Sequence, residues 1–170
     1  WGSHFYEWGT TWNTRLAKNS NLLHLKYGFS FQYNNLRATE NRLFVDNGTT
    51  TDLETSPINM KDSRFRNLNF VVPVHLEFDF SKKREYEGKP VFRSHNSVRF
   101  GIGGYAGVNV KSKQIIKYDN DGYKTKEVTK GNFNTNDFVY GLSTYIGYKE
   151  TSLYLKYDLN PLFKDNAIDQ

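Results

Sequence analysis

The sequence predicts an all-β fold: a transmembrane, antiparallel, up-and-down β-barrel of eight strands, six of which lie within these 170 residues. Three observations predict it. Six segments alternate apolar and polar residues with a period of two, which places the two kinds on opposite faces of a strand. The connections between these segments alternate between short and long. Aromatic residues lie near both ends of the segments with aliphatic residues between them, an order typical of membrane barrels.

The first three segments each keep one parity throughout. In residues 6–16 the even positions carry Tyr, Trp, Thr and Leu, and the odd positions carry Glu, Gly, Thr, Asn and Arg. In residues 23–33 every odd position is Leu, Tyr or Phe, and every even position is His, Lys, Gly, Ser or Gln. In residues 68–80 every even position is Leu, Phe or Val. Each segment has the length that a tilted strand needs to cross a bilayer.

The last three segments follow the same rule. Residues 98–110 carry Val, Phe, Ile and Ala on one face and Arg, Gly, Tyr and Asn on the other. Residues 138–149 carry Phe, Tyr, Leu and Ile on one face and Gly, Ser, Tyr and Lys on the other. Residues 153–159 carry Leu and Tyr on one face and Tyr, Lys and Asp on the other. No segment shows a helical period, so the chain is predicted to be all-β. Inward-facing glycines in residues 101–107 are expected to make space for Tyr105 and Tyr145.

The connections predict which end of the barrel faces outward. Short links at 18–20 and 150–151 alternate with long polar regions at about 37–66 and 112–136, which are predicted to be external loops. Both long regions contain turn residues, Asp46-Asn47-Gly48 and Asp119-Asn120-Asp121-Gly122, and are expected to form hairpins that continue the barrel wall. The remaining link, residues 81–96, is intermediate in length.

Composition agrees with a small membrane barrel. Only 37% of residues are hydrophobic and the mean hydropathy is −0.73, yet aromatics reach 16%. A barrel tolerates such a composition because only the outward half of each strand meets lipid.

Three further features of the sequence exclude or disfavour other classes of protein. No run of eighteen apolar residues exists, which excludes a transmembrane helix. Cysteine is absent, so disulfides and thiolate metal sites are excluded. The net charge of +5 is spread along the chain, which argues against a nucleic-acid partner.

Eight aromatic residues are predicted to form two lipid-facing girdles. They are Tyr6, Tyr33, Phe70, Tyr140 and Tyr157 near the external ends, and Phe80, Phe100 and Tyr148 near the periplasmic ends.

The direction of the strands predicts how many strands the barrel has. With both barrel termini in the periplasm the number of strands is even, so one strand is expected before residue 1 and one after residue 170. Residues 1–170 are then a single outer-membrane barrel domain that lacks one strand at each end.

Four stretches of these strands carry a family resemblance: Leu25-Lys26-Tyr27-Gly28-Phe29, residues 70–78, residues 100–105 and residues 155–163. They resemble the outer-membrane β-barrel family of Bacteroidota, called porin-family or PorT-like. The resemblance implies a Gram-negative outer-membrane protein. Some members of that family act within secretion or assembly machineries, and most have no defined activity. Members usually finish in a strand ending with an aromatic residue, from which this chain's last residues, 167–170, depart.

The inward faces are predicted to carry a charge network. Its members are Glu7, Arg15, His24, Lys26, His75, Glu77, Asp79, Arg99, Lys149, Lys156 and Asp158. An eight-stranded barrel is just wide enough for side chains to fill, and buried charges must be paired. Ion pairs with trapped water are therefore expected to close the lumen. A cation held by the acids and histidine of residues 75–79 is less favoured than pairing with Lys or Arg.

Catalysis is not predicted, because no serine, histidine and acid are placed together by the strand pattern. The predicted function is a non-enzymatic outer-membrane barrel, a structural or accessory subunit of a secretion or assembly complex, without a cofactor. Its partners are outer-membrane lipid and other outer-membrane proteins bound through the external loops. A small porin-like channel is the alternative, and a lipid or peptide hydrolase acting at the barrel rim is a more remote one.

Overall fold

The computed structural model describes residues 2–17, 20–81, 83–86, 89–92 and 97–164. These residues form β-strands and turns, and they include no helix long and apolar enough to cross a membrane. The strands, in chain order, are β1 His4–Arg15, β2 Leu23–Arg37, β3 Arg42–Asp46, β4 Thr51–Thr55, β5 Met60–Asp79, β6 Lys83–Tyr86, β7 Lys89–Phe92, β8 Val98–Asn120, β9 Tyr123–Lys130, β10 Phe138–Tyr148 and β11 Thr151–Asp158.

One large antiparallel sheet contains all six predicted segments. Its strand order is β1-β2-β5-β8-β10-β11, and β9 pairs with β8 beyond the end of β10. The all-β, antiparallel prediction is therefore confirmed. The sheet is open, because β1 and β11 are its two edges and do not pair with each other. Strands β3 and β4 form a separate two-stranded sheet, as do β6 and β7 within the link predicted to be of intermediate length.

The two faces of the sheet differ in burial in the opposite sense to a water-soluble protein. In β5 every odd residue from Ser63 to Asp79 is buried, including Glu77, while Val72, Val74 and Leu76 are exposed. We call the face with the buried residues the inner face and the other the outer face. Across the described residues, polar and charged side chains outnumber hydrophobic ones at buried positions.

Strands extend into both regions that the sequence analysis assigned to long loops. Strand β5 already begins at Met60 and β8 continues to Asn120. The sequence did not predict these extensions because a β-bulge interrupts the alternation. Leu68 pairs with Lys111 and Asn69 with Asn109, so Val110 is an extra residue in β8. Beyond this bulge the pairing continues, but the outer face becomes charged. The apolar alternation, which is the signal that predicts a strand from sequence, ends there.

Both predicted hairpin turns are present. Gly48 has a φ of +88° in the turn between β3 and β4. Asp121 and Gly122 have φ values of +48° and +85° in the turn between β8 and β9. Glycine adopts such angles without steric cost, as type I′ hairpin turns require. The β8–β9 hairpin extends the large sheet, as predicted, whereas β3–β4 stands apart from it.

A cluster of aromatic side chains lies at the long-loop end of the inner face. Phe65 of β5 is fully buried against Phe133, Phe163 and Phe44, with ring centroids 5.2–5.6 Å apart. Phe44 belongs to β3, so the β3–β4 hairpin is held over this end of the sheet. This cluster is the hydrophobic core that the described residues form.

Candidate functional site

The centre of the inner face is built around the carboxylate of Glu77, which is 1% exposed. Asn13 donates a hydrogen bond of 2.7 Å to one oxygen, and the hydroxyl of Tyr145 donates one of 2.5 Å to the other. The ammonium group of Lys26 lies 3.7 Å from the second oxygen and 4.6 Å from the centroid of the Tyr145 ring. Three strands besides β5 therefore contribute to this one carboxylate, which is the pairing that a buried charge requires.

A second cluster joins the two edge strands. Lys156 of β11 donates a hydrogen bond of 2.7 Å to Glu7 of β1, which also accepts one of 2.5 Å from Ser30. The same ammonium group lies 4.0 Å from the centroid of the Tyr105 ring, and the Tyr105 hydroxyl bonds Asp158. The edges of the open sheet thus curve toward each other until their side chains meet, although their backbones do not pair.

Glycines opposite the two tyrosines make this packing possible. Tyr145 pairs with Gly101 and Tyr105 pairs with Gly141 across strands β8 and β10. A Cβ on Gly101 would lie 2.2 Å from the Tyr145 ring, and one on Gly141 would lie 2.5 Å from the Tyr105 oxygen. Each ring therefore lies over the glycine of the neighbouring strand. For Gly101 this matches the sequence expectation, whereas Gly141 lies outside residues 101–107, for which that expectation was made.

His75 is the residue of the inner face that most resembles part of a catalytic site. Its Nε2 atom is 2.7 Å from the hydroxyl of Ser143 and 3.1 Å from that of Tyr154. A serine nucleophile needs a base that is oriented in turn by a third group. Among the described residues no carboxylate bonds His75, and Glu77, two residues along the strand, is occupied by other donors. The arrangement lacks the acid of a triad.

Nothing in the described part of the chain forms a metal centre, since no three His, Asp or Glu side chains come together there. Asp79, which the sequence analysis considered with residues 75 and 77, is held separately at the short-turn end. It accepts hydrogen bonds from Asn21 at 3.0 Å, from Ser97 at 2.6 Å and from the Ser81 backbone at 2.9 Å. These hydrogen bonds anchor the turns at this end of the sheet.

The structure brings together about half of the residues predicted for the charge network. Those in the two central clusters are Glu7, Lys26, His75, Glu77, Lys156 and Asp158. Those at the short-turn end are Arg15, His24, Asp79, Arg99 and Lys149. Of these, Arg99 donates to the backbone oxygen of Lys149. Lys149 itself is an exposed residue of the β10–β11 turn, because its φ of +54° ends the strand before it.

Uncharged members of the network were missed by the sequence analysis. They are Asn13, Ser30, Tyr105, Ser143, Tyr145 and Tyr154. The parity of each strand placed these residues inward, but only Asp, Glu, His, Lys and Arg side chains were predicted as members of the network. His24, which was predicted as a member, is buried with an Nδ1 atom that has no hydrogen-bond partner in the described structure.

All eight predicted girdle residues lie on the outer face. Six of them are exposed, and Tyr33 and Phe70 are half-buried between neighbouring strands. Between the two groups the outer face carries exposed aliphatic residues such as Ile102, Leu142 and Leu155.

The inner face, by contrast, is filled by side chains along its whole length. The side chains around Asp79 lie at the short-turn end, the two clusters around Glu77 and Lys156 lie at the centre, and the aromatic cluster around Phe65 lies at the long-loop end. A cavity of about 490 Å³ remains beside the edge strands, lined by Phe5, Ser30, His75 and Tyr154 among others.

Comparison of the chain with protein-family models, curated proteins and solved structures gives no match.

Proposed function

We propose that this protein is a non-enzymatic outer-membrane β-barrel protein, a structural or accessory subunit of a secretion or assembly complex, with an interior closed by side chains. The observation that carries the proposal is the inverted distribution of side chains across the sheet. Glu77 and His75 are buried on the inner face, while Ile102, Leu142 and Leu155 are more than half exposed on the outer face. Contiguous apolar surface of this kind is rare on proteins that face water.

The height of the apolar surface suits a bilayer. The outer apolar residues run from Leu68 of β5 to Phe80, the residue that follows this strand, and these twelve residue steps measure about 40 Å along a strand. A tilt of about 40° reduces this height to about 30 Å, the thickness of the hydrocarbon core of a bilayer. Beyond Leu68 the outer residues of β5 include Arg66 and Arg64, so the apolar band ends abruptly.

The aromatic residues at the long-loop end support the same tilt. In sheet order they are Tyr6, Tyr33, Phe70, Tyr140 and Tyr157. Tyr6 lies directly opposite Tyr33, and the register places Phe70, Tyr140 and Tyr157 two, four and six residues further toward the short-turn end. Six residues measure about 20 Å and five strand spacings about 24 Å. The line through the aromatics is thus inclined by about 40°, which makes it level in a barrel with strands tilted by 35–45°.

Closure is the part of the proposal that goes beyond the open sheet. Unpaired backbone groups on β1 and β11 would be costly in lipid, so further strands are needed between these edges in a membrane. The Glu7–Lys156 ion pair shows that the sheet is curved enough for its edges to face each other. A closed barrel of eight strands remains our prediction, as do the outer-membrane location and the role of residues 37–66 and 112–136 in binding partners.

Fluorescence quenching tests the membrane proposal directly. Trp8 and Trp12 are exposed on the outer face, opposite Phe31 and Tyr27. In a chain with Trp1→Phe and Trp8→Phe, Trp12 is the single remaining tryptophan. We expect vesicles of phosphatidylcholine brominated on its acyl chains to quench Trp12 strongly, and a water-soluble quencher to have little effect. The reverse pattern would exclude an outer face that contacts lipid.

A small channel is the second candidate, and the cavity beside the edge strands is the observation in its favour. Single-channel recording in planar bilayers separates the two. We expect no stable conductance from the wild-type protein, because Tyr105, Tyr145 and Lys156 occupy the interior. Replacing Tyr105 and Tyr145 together by Ala should increase leakage. Stable wild-type currents would replace the closed-interior proposal with the channel.

The accessory role has its own test, because a subunit of a complex must be found with other proteins. After extraction from native membranes in mild detergent, we expect the protein to migrate at a size well above that of one chain. Deleting the β3–β4 hairpin tip, residues 46–50, should reduce that size if the long-loop end binds the partner. Migration as a single chain under all mild conditions would contradict the accessory role.

A further inference from the structure

Three cations form a row across the outer face at the long-loop end. Arg66 of β5 lies directly opposite Lys113 of β8, which lies directly opposite Lys130 of β9. Directly opposite residues point to the same side of a sheet with Cβ atoms about 4.5–5.5 Å apart. Lys111, two residues from Lys113 on the same strand, joins them. We call these four residues the cationic row.

The cationic row lacks anionic partners. None of the ion pairs within the described residues includes any of its four members, and Arg66 donates instead to the neutral side chain of Asn35 at 2.7 Å. Like charges directly opposite each other destabilise a sheet. The pKa of Lys113 is lowered by partial burial and by four neighbouring cations: Arg66, Lys111, Lys126 and Lys130. An anion bound among these four cations would relieve their mutual repulsion.

The position of the row specifies the kind of anion. Phe70 is the residue of the aromatic line on β5, and Leu68, the next outer residue toward the long-loop end, pairs with Lys111. Arg66 and Lys113 lie one outer position further in the same direction. The cations therefore begin at the first outer position beyond the aromatic line, where the apolar band ends. In a bilayer this is the level at which phosphate groups join the polar headgroups to the acyl chains.

We propose that the cationic row binds the phosphate groups of anionic lipid headgroups in the leaflet at the long-loop end. This inference rests on the proposed membrane function and adds a specific lipid contact to it. Arg66 supplies a planar guanidinium that can hold two phosphate oxygens, and the lysines supply point charges on either side. A bound phosphate replaces the mutual repulsion of the cations with attraction. A nucleic acid is a poorer fit, because the apolar band beside the row would then remain in water.

The test compares lipids and variants in the folded protein. Wild-type protein is folded into vesicles of phosphatidylcholine and into vesicles that also contain phosphatidylglycerol, and thermal unfolding and retained lipid (by native mass spectrometry) are measured. Lys113→Gln removes the central cation. Lys124→Gln is the matched control, because Lys124 lies on the same face of β9 about 20 Å from Lys130, beyond the screening length of about 8 Å at physiological salt.

We expect phosphatidylglycerol to raise the unfolding temperature of the wild type and of Lys124→Gln. The Lys113→Gln variant should lose most of that shift and about five-fold in retained anionic lipid. In phosphatidylcholine alone, Lys113→Gln should be at least as stable as the wild type, since repulsion is relieved. An equal loss in Lys124→Gln would overturn the proposal in favour of diffuse charge. An equal shift with inorganic phosphate in phosphatidylcholine vesicles would assign a free-anion site instead.

Failure of the wider membrane proposal is distinguishable from failure of this one. A protein that does not float with either kind of vesicle fails as a membrane protein. A protein that inserts into both but unfolds at the same temperature in each refutes the lipid contact alone.

Discussion

Replacing Glu77 with Gln should be among the most destabilising conservative changes in this protein. Gln has nearly the same shape but no charge, so one of the two hydrogen bonds from Asn13 and Tyr145 loses its acceptor and Lys26 loses its counter-ion. Hydrogen bonds to a charged group contribute about 1.5–3 kcal/mol each, and breaking a buried ion pair costs about 3–5 kcal/mol. Because Lys26 is 27% exposed and is partly solvated, we expect a loss of about 2–4 kcal/mol.

Urea unfolding in phosphatidylcholine vesicles, followed by tryptophan fluorescence, measures this loss. Glu127→Gln is the matched control, since Glu127 is exposed on β9 and its replacement should change stability by less than about 0.5 kcal/mol. A double-mutant cycle between Glu77→Gln and Tyr145→Phe should give a coupling energy of about 1–2 kcal/mol. The reasoning is refuted if Glu77→Gln behaves as Glu127→Gln does, or if the two inner-face changes are additive.

Three further changes probe other parts of the molecule by the same unfolding assay. Gly101→Ala places a Cβ 2.2 Å from the Tyr145 ring, and we expect a cost of about 1–3 kcal/mol that is smaller when the same change is made in a Tyr145→Leu background; an equal cost in both backgrounds would contradict the clash. Phe65→Ala should cost about 3–5 kcal/mol, and a cost below that of an exposed aromatic would show that the cluster is unimportant. Val74→Arg should cost about 2–4 kcal/mol in a bilayer, unlike Tyr123→Arg at the exposed hairpin tip, and equal effects would argue against a lipid-facing Val74.

The strands were predictable because their cause is local. Segment 138–149, for example, alternates in sequence and becomes β10, Phe138–Tyr148, because side chains on successive residues of a strand point to opposite faces. The turn glycines, Gly48 and Gly122, were predictable for a similarly local reason, since the backbone angles required there favour glycine. The extension of β8 beyond Val110 was not, because a bulge and a change to charged outer residues interrupt the alternation.

Contacts between distant strands required the structure. The partners of Glu77 come from residues 13, 26 and 145, and the Phe65 cluster from residues 44, 133 and 163. No spacing along the chain relates these positions. The cationic row was hidden for the same reason, since the sequence shows its members as scattered basic residues, and only the pairing of β5, β8 and β9 aligns them.

The sequence by itself determined which residues form strands and which side of each strand is apolar, because both follow from a period of two along the chain. Only the tertiary structure decided which side chains each buried residue contacts. The register between strands sets those distances, and it depends on how all the strands pair, on the bulge at Val110 and on the curvature that brings Glu7 to Lys156. Charges that look dispersed in the sequence thereby become one paired interior and one unpaired row.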